Sequence, residues 1–259
     1  MSEGLEHKHG CVWITGASSG IGRATALALA RAGRLVAASA RRADELTALA
    51  REAEPFAGSI HPVPLDVTQP DAVAAAVAHI EADIAPIETA ILSAGNYALD
   101  FAATLKSADV KATVGLNLFG AVYAMEALIP LMIARGGGRI VAVGSLAAYR
   151  GLPHAAAYGA SKAGLLAFCE ALRPQLMRDG IILQVANPGF VATPLTDRND
   201  FPMPFLISAD DAARAMLAGL RSKRFEIVFP RRFAWLMKTL RMLPYALFFF
   251  VTRRMVRPQ

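Results

Sequence analysis

Apolar residues along this chain fall into short continuous runs that alternate with longer segments of helical period. Seven short runs have the length and residue types of buried β-strands, namely Val12–Thr15, Leu35–Ala40, Ile60–Leu65, Thr89–Ser93, Arg139–Val143, Ile181–Ala186 and Phe225–Phe229. Six segments carry alanine and leucine at helical spacing, namely Gly20–Ala32, Ala43–Ala53, Asp71–Ala82, Ser107–Ala134, Ala155–Met177 and Asp210–Leu220. Strands and helices alternating at this spacing form right-handed βαβ units. The pattern therefore predicts an α/β fold with a doubly wound, parallel, seven-stranded sheet and helices on both faces.

Two segments interrupt this alternation. Residues Phe190–Ser208 contain three prolines and the polar group Asp197–Asp200, without any period. They predict a long loop after the carboxyl end of a strand, where α/β proteins bind ligands. The second segment is the tail after Pro230. Because 259 residues suit one large domain better than two, we expect one domain over residues 1–230 and a separate tail over residues 231–259.

The positive charge of the chain is concentrated near its carboxyl end. The net charge is +6, and such basicity is typical of nucleic-acid-binding proteins. From Arg221 to Gln259, however, ten Lys and Arg against one Glu give +9, so the other residues give −3. These cations alternate with large apolar residues and do not form the aromatic platforms or grooved basic face that a nucleic acid requires. We therefore expect no nucleic-acid partner.

The tail joins these cations to a strongly apolar segment. Its burial would be worth about 10–20 kcal/mol, from Phe233, Trp235, Leu236, Leu240, Leu243, Leu247, Phe248 and Phe249. Lys238, Arg241 and Pro244 interrupt the segment, so one hypothesis is a kinked helix that lies in the interface of an anionic membrane without spanning it. The alternative is that the tail packs on its own domain or on a partner subunit and walls a ligand pocket.

Nothing else in the chain indicates export or a metal site. The polar N-terminus is not a signal peptide, and no apolar stretch of about twenty residues predicts a membrane span. Cys11 and Cys169 lack metal-ligand or redox spacing and are typical of small core residues in a reducing compartment. His7 and His9 fall in a solvated tail. We expect a cytoplasmic protein without a metal, peripheral at the inner face of a membrane if the tail binds lipid.

A glycine-rich turn connects the first predicted strand to the first helix. Gly16 allows the tight turn, Gly20 lets the backbone approach a pyrophosphate, and Gly22 lets helix and strand pack closely. The free N–H groups at the start of the helix, with Ser18, Ser19 and Ile21 in the turn, would face phosphates. This arrangement is typical of Rossmann dinucleotide sites; the alternative is a glycine-rich turn without a ligand.

The end of the second predicted strand indicates which dinucleotide binds. An NAD enzyme places a carboxylate there to bind the ribose 2′-hydroxyl, whereas this strand ends in Ala40, Arg41 and Arg42. Arginines form charge-assisted hydrogen bonds with a 2′-phosphate. Asp44 lies at a helix start, and we expect it to be a capping residue. The sequence therefore predicts NADP(H), with NAD(H) less favoured; the alternative is that both arginines are merely solvated.

Three residues form a candidate acid/base group. Tyr158 and Lys162 are four residues apart, on one face of a predicted helix. A phenol is a poor base near neutral pH, and we expect the lysine ammonium to stabilise its phenolate. Ser145 follows a buried strand and could hold a substrate oxygen or simply cap the turn. Because Tyr158 and Lys162 already fill the acid/base role, nearby His154 is expected at a pocket rim or on the surface.

The spacing of these motifs resembles the short-chain dehydrogenase/reductase family. The shared features are the TGxxxGIG turn of Thr15–Gly22, then Leu65-Asp66-Val67, Ser93-Ala94-Gly95, Asn117, Ser145, Tyr158–Lys162, and Pro188-Gly189 with Thr193. They cover roughly residues 10–230 in one register. One departure is Ser93, where the family usually has Asn. The resemblance implies a catalytic domain over residues 1–230 that assembles as dimers or tetramers.

The resemblance also assigns roles to single residues. Asp66 and Val67 would hold the adenine, and Pro188, Gly189 and Thr193 the nicotinamide carboxamide. Ala94, Gly95 and Val191 would complete the cofactor site. Asn117 would bend its helix and hold a water that links Lys162 to solvent.

We therefore predict an oxidoreductase that transfers hydride between NADP(H) and a ketone or secondary alcohol. Ser145 would orient the substrate oxygen, Tyr158 would move the proton, and Lys162 would tune the tyrosine. The predicted loop is apolar enough to suggest a lipophilic substrate, through Phe190, Leu195, Phe201, Met203, Phe205 and Leu206. The alternative is a non-catalytic NADP(H)-binding module that docks on a membrane or partner through its tail.

Overall fold

The computed structural model describes residues 10–197 and 200–256, and it contains one seven-stranded sheet in which every neighbouring pair is parallel. The strands are β1 Cys11–Thr15, β2 Leu35–Ala40, β3 Ser59–Pro64, β4 Ile87–Leu92, β5 Gly138–Val143, β6 Ile181–Pro188 and β7 Glu226–Phe229. The helices are α1 Gly20–Arg31, α2 Ala43–Ala53, α3 Pro70–His79, α4 Ser107–Val114, α5 Gly120–Ala134, α6 Ala156–Arg178, α7 Ala209–Leu220, α8 Arg231–Met242 and α9 Tyr245–Thr252. The predicted fold class is confirmed, and the predicted strand ends agree to within two residues.

The strand order β3-β2-β1-β4-β5-β6-β7 determines where a ligand can bind. The chain runs outward from β1 to β3 and then crosses back to place β4 on the other side of β1. The loops after β1 and β4 leave the sheet in opposite directions, so a crevice opens between their carboxyl ends. Thr15 and Leu92 end these two strands and are register partners.

Helices cover both faces of the sheet, and side-chain alternation separates two apolar layers. On β1, Trp13 packs into one layer, with Met125 and Leu128 of α5, and Ile14 into the other, with Leu29 of α1. Every residue of β1 is buried, as expected for a central parallel strand. The indole N–H of Trp13 donates to Ser39 Oγ at 2.9 Å, so the polar atom of this core residue is satisfied.

The segment Ser107–Ala134 differs from the single regular helix that its period predicts. It consists of α4, a π-helical turn over Gly115–Phe119, and α5. Contrary to the sequence expectation, it is long and apolar enough to cross a membrane, with a mean hydropathy of 1.7. Its inner face nevertheless packs on the sheet, through residues such as Met125 and Met132, as the core helix of a globular domain does. A π-turn within an α-helix often marks a functional site, and Asn117 lies in this one.

The start of α2 corrects the expectation for Asp44. Arg42 occupies the N-cap position without a side-chain capping bond, and Asp44 and Glu45 lie in the first helical turn. Aspartate is favoured both at the N-cap and in the first turn of a helix, so its position near a helix start does not distinguish the two. In the first turn its carboxylate stabilises the helix through the macrodipole instead.

The two halves of the tail pack differently. Phe233, Ala234 and Met237 of α8 are buried in the main core, and Lys238 Nζ lies 2.5 Å from Glu226 Oε2. In α9 only Phe248 and Thr252 are buried. The core packing therefore continues past residue 230. Helix α8 packs on its own domain, which was one of the alternatives for the tail. His7, His9 and Arg257 lie outside the described residues.

Candidate active site

The glycine-rich turn has the backbone conformation of an anion site. Gly16 and Gly20 have φ values of +71° and +57°, which favour glycine. A Cβ on Gly22 would lie 2.4 Å from the Gly16 carbonyl oxygen, so no side chain fits there. Ser19 caps α1 without a side-chain hydrogen bond. The first N–H groups of α1 are thus directed at the crevice without a capping side chain, as in phosphate-binding helix ends.

A cleft of about 460 Å³ runs along the carboxyl ends of the central strands from this turn. Most residues predicted to hold the cofactor line it, namely Gly16, Ser18, Ser19, Gly20, Ile21, Gly22, Arg41, Arg42, Asp66, Val67, Ala94, Gly95, Tyr158, Lys162, Pro188 and Thr193. Gly189 and Val191 line the neighbouring cavity instead. The cleft thus joins the glycine-rich turn to Tyr158 and Lys162 in one site, as a dinucleotide site requires.

The two predicted arginines also line this cleft. Arg41 and Arg42 are both exposed, and Arg42 Nη2 donates to Ser18 Oγ at 3.1 Å. Its Nη1 also lies 3.8 Å from Glu45 Oε1. Across the cleft, hydrogen bonds from the backbone N–H and hydroxyl of Thr68 lower the pKa of Asp66 against its partial burial. The two arginines therefore place exposed positive charge on the wall of the cleft.

Tyr158 and Lys162 lie on α6 at the other end of the cleft, and Lys162 is buried. Lys162 Nζ donates to the Val143 carbonyl at 2.8 Å and lies 5.9 Å from the Tyr158 ring centre. Burial lowers the pKa of Lys162 to about 8. Burial also raises the pKa of Tyr158, and the hydrogen bond with Ser145 opposes that rise. The role of Lys162 in stabilising the phenolate stays a prediction; its ammonium has three donors, and the Val143 carbonyl occupies one of them.

Ser145 caps a turn, which is one of its two predicted roles. It follows β5 and caps a short 3₁₀ turn, because its Oγ accepts from the Ala147 N–H at 3.1 Å. Its backbone N–H donates to Asn187 Oδ1 at 3.0 Å. A hydroxyl has one hydrogen and two lone pairs, so the Ser145 hydroxyl can cap the turn and still donate to an oxygen in the site.

Asn117 lies behind the cleft wall. It is 1% exposed, and its Oδ1 accepts from the Asn96 N–H at 2.8 Å while its Nδ2 donates to Asn96 O and Ser161 Oγ. A Cβ on Gly95 would lie 3.1 Å from Asn117 Oδ1 and 3.4 Å from Lys162 Nζ. Asn117 therefore holds Asn96 and the adjacent Gly95 in place beside Lys162. The space around Gly95 leaves no room for a side chain at that position.

A second, apolar cavity of about 230 Å³ adjoins the cleft at Tyr158. Ser145 lines it, and so do the predicted loop residues Phe190, Leu195 and Phe201, whereas Met203, Phe205 and Leu206 do not. His154 lies at its wall with its ring against Phe101. Among the described residues that line it, none is Asp, Glu, Lys or Arg. The side chains of Ser145 and Tyr158 thus line a mostly apolar chamber.

The tail and the loop close this cavity together. Phe233 of α8 stacks on Phe190 with ring centres 5.5 Å apart and contacts Phe205 at 6.0 Å. Met237 and Met255 also line the cavity. Val191 pairs with Ile207 in a parallel bridge, so both ends of the loop are held together.

Several residues of the site escaped the sequence prediction. Asn96 and Ser161 hold Asn117, and Asn187 holds Ser145. Tyr97 lies edge-on to Tyr158 with ring centres 5.1 Å apart. Asn96 and Asn187 each adjoin a predicted motif, so proximity to a motif was the only available signal. Ser93 anchors the sheet through its N–H, which donates to Thr15 Oγ1 at 3.1 Å, so the serine at this position leaves the strand supported.

Known proteins are similar to this chain in fold and in sequence. The family model described as short chain dehydrogenase matches residues 10–201. An uncharacterized oxidoreductase of Myxococcus xanthus is 39% identical over 242 residues, 93% of this chain and 96% of the relative. The 3-oxoacyl-[acyl-carrier-protein] reductase FabG of Thermotoga maritima is 32% identical over 71% of this chain and 75% of its own. A short-chain dehydrogenase from Sphingobium yanoikuyae in complex with NADPH superposes with a TM-score of 0.78 at 25% identity, over 92% of this chain and 97% of that one. This chain therefore belongs to the short-chain dehydrogenase/reductase family, and it is an oxidoreductase.

Proposed function

We propose that this enzyme reduces lipophilic ketones with NADPH. The observation that carries the proposal is the apolar cavity that places Ser145 and Tyr158 against a chamber without charged side chains among its described lining residues. The carbonyl oxygen would approach the two hydroxyls while the rest of the substrate replaces water in the chamber. The apolar walls include Leu152, Phe201 and Met237, and their burial against a substrate would supply binding free energy.

The side chains divide the chemistry between them. The bound dinucleotide supplies the hydride. Ser145 donates a hydrogen bond to the carbonyl oxygen as negative charge develops there, and Tyr158 transfers its phenolic proton to the same oxygen. Lys162, whose pKa is lowered to about 8 by burial, lies one turn away and can return a proton towards the phenol. The same residues serve alcohol oxidation, and we favour reduction because cells keep their NADP pool reduced.

A preference for NADPH follows from the charge of the cleft. Arg41 and Arg42 are the described side chains at the end of β2, where an NAD enzyme would hold a carboxylate. The solved relative that carries NADPH supports this choice. A 2′-phosphate between these guanidinium groups would form charge-assisted hydrogen bonds.

A matched panel of carbonyl compounds tests the proposed activity. Purified enzyme with NADPH should reduce medium-chain and cyclic ketones, and it should discriminate against keto acids of the same length, because a carboxylate would enter the cavity unpaired. Binding of NADPH without turnover of any member would favour the non-catalytic module, which finds no support in the comparisons. Faster turnover of the keto acids than of the ketones would contradict the lipophilic substrate class.

We further propose that the enzyme is cytoplasmic and contacts the inner face of an anionic membrane through its tail. Ten of the seventeen large apolar residues exposed in the described chain lie there: Trp235, Leu236, Met242, Tyr245, Leu247, Phe249, Phe250, Val251, Met255 and Val256. Residues 231–259 hold seven Lys and Arg and no acid. An apolar surface with flanking cations suits an anionic interface. Met255 belongs to both this surface and the cavity wall, so a lipophilic substrate could enter from the bilayer.

Flotation with vesicles tests the membrane contact. We expect the protein to float with phosphatidylglycerol vesicles at low salt and to sink with phosphatidylcholine alone. Trp235→Glu/Phe249→Glu should weaken binding at least about tenfold, since two side chains of about 1.5–3 kcal/mol each no longer insert. Leu105→Glu, at an exposed apolar residue outside the tail, is the control. Wild-type protein that stays unbound at low salt would refute the contact.

We also propose a homo-oligomer assembled through α5 and α6. Leu131 and Ile133 of α5 and Met177 of α6 expose apolar side chains on these helices, and their family counterparts commonly pack between subunits. Light scattering at micromolar concentration should give at least the mass of a dimer. A monomer alone at that concentration would contradict this proposal.

A further inference from the structure

Glu226 has no role in the proposed chemistry, yet it gathers three donors from separate parts of the chain. It opens β7, and its carboxylate accepts from the Tyr149 hydroxyl, from Asn187 Nδ2 at 2.9 Å and from Lys238 Nζ at 2.5 Å. Burial would raise the pKa of Glu226, but these three hydrogen bonds outweigh it and lower the pKa. Burial and the same carboxylate raise the pKa of Tyr149, so its phenol stays protonated and donates. Near neutral pH Glu226 is therefore an anion that only accepts hydrogen bonds.

This anion determines the orientation of the Asn187 amide. Asn187 is fully buried. Because a carboxylate cannot donate, the Asn187 NH₂ group must face Glu226, and its oxygen must then face the Ser145 N–H, 3.0 Å away. The Asn187 amide is tightly packed against the segment before Ser145, because a Cβ on Gly144 would lie 2.3 Å from Asn187 Oδ1. The backbone position of Ser145 therefore depends on Asn187, and the orientation of Asn187 depends on Glu226.

The tail holds the same segment from outside. Lys238 of α8 bonds Glu226 and lies 5.6 Å from the centre of the Tyr149 ring. The next residue, Arg150, places its guanidinium 4.4–4.5 Å from the ring centres of Tyr245 and Phe248, and its Nη2 donates to the Leu243 carbonyl. The turn that begins at Ser145 thus ends in contacts with both tail helices.

We propose that Glu226 and Asn187 are positioning residues for Ser145, and that Lys238 connects the tail to them. The inference rests on the proposed role of Ser145 in holding the substrate oxygen. Neither positioning residue touches that oxygen. They act by fixing the backbone from which the Ser145 hydroxyl reaches into the site, where a displacement of about 1 Å can cost on the order of a hundredfold in rate.

A pair of exchangeable variants tests this chain of hydrogen bonds. Asn187→Asp places a second carboxylate against Glu226, and Glu226→Gln leaves one of three donors without its acceptor. The double variant Asn187→Asp/Glu226→Gln restores the match between these two residues, because the amide introduced on β7 can donate to the carboxylate introduced on β6, which still accepts from the Ser145 N–H. The Tyr149 hydroxyl, which shares Glu226 Oε1 with Asn187, can turn to accept from the second hydrogen of that amide. The double variant also keeps a single negative charge in the cluster. We expect kcat to fall at least about tenfold in Asn187→Asp and to recover most of that loss in the double variant, with NADPH affinity unchanged throughout.

A readout without turnover separates this inference from the proposed function. Hydrogen exchange of the Ser145–Arg150 segment should speed up in Asn187→Asp and slow again in the double variant, whether or not a substrate is known. If exchange is faster in Asn187→Asp but the wild type reduces no substrate, the proposed function is contradicted, whereas the positioning role of Asn187 and Glu226 is supported. If the double variant exchanges as fast as Asn187→Asp and recovers none of its kcat, the positioning role of Asn187 and Glu226 is overturned.

A partly exposed variant keeps the test valid if the buried ones fold poorly. Lys238 is 44% exposed on its side chain, so Lys238→Met should fold and lower kcat by about threefold to tenfold, the effect of losing one charge-assisted hydrogen bond at a distance. Lys223→Met, an exposed lysine outside this cluster, should leave kcat unchanged. Equal kcat values for wild type and Lys238→Met would show that the tail does not act on Ser145.

Discussion

Replacement of Tyr158 by phenylalanine is expected to lower kcat at least about a hundredfold, the usual contribution of a positioned acid/base group. The phenol is the proton donor for the substrate oxygen in the proposed reaction, and Ser145 can only orient that oxygen. The ring itself contacts Tyr97 edge-on, and phenylalanine preserves that contact. NADPH affinity and melting temperature should therefore stay close to those of the wild type.

Steady-state kinetics and a fluorescence titration with NADPH would measure both quantities on the same preparation. Tyr123→Phe removes a phenol from α5, outside both cavities, and serves as the matched control. If Tyr158→Phe kept more than about a tenth of the wild-type kcat, its phenol would not be the essential acid.

The second large effect concerns the cofactor. Arg41→Asp/Arg42→Ala should move the preference of the enzyme from NADP(H) to NAD(H). Each guanidinium bond to a 2′-phosphate is worth about 1.5–3 kcal/mol, or roughly ten- to a hundredfold in affinity. The new carboxylate also repels that phosphate, and it can accept from the 2′-hydroxyl of NAD.

Titration of both cofactors against wild type and variant would measure the change. Arg51→Ala removes an exposed arginine from the last turn of α2, away from the cleft, and controls for the loss of a surface arginine. Equal affinities of the wild type for NADPH and NADH would refute the charge argument, whatever the variant does.

Local patterns were sufficient to predict the elements and the two ends of the cleft. An apolar run in a buried parallel strand and a helical period are properties of neighbouring residues, so β2 and α2 were predicted to the residue. The glycines of the first turn and the Tyr158–Lys162 spacing are equally local, because each depends on a few consecutive backbone positions. The order of the strands is not local, yet the right-handed crossover rule limits it strongly.

Contacts between distant segments were beyond such patterns. The partner of Lys162 is a carbonyl on β5, 19 residues away. Burial raises the pKa of Tyr158 and a hydrogen bond with Ser145 opposes that rise, and neither influence is visible in the Tyr158–Lys162 spacing. Asn187 meets Ser145 across 42 residues and Glu226 across 39. Such pairs exist because neighbouring parallel strands place their residues side by side, whatever the separation of the strands along the chain.

The tail shows the same division most clearly. Its composition indicated that it must bury apolar surface somewhere, because so many large side chains are unfavourable in water. Which surface they cover depends on shape and charge elsewhere: α8 packs where Phe190 offers a ring and Glu226 a carboxylate, whereas α9 buries only Phe248 and Thr252. Periodicity along one segment describes that segment alone, and only the folded chain decides which distant residues it meets.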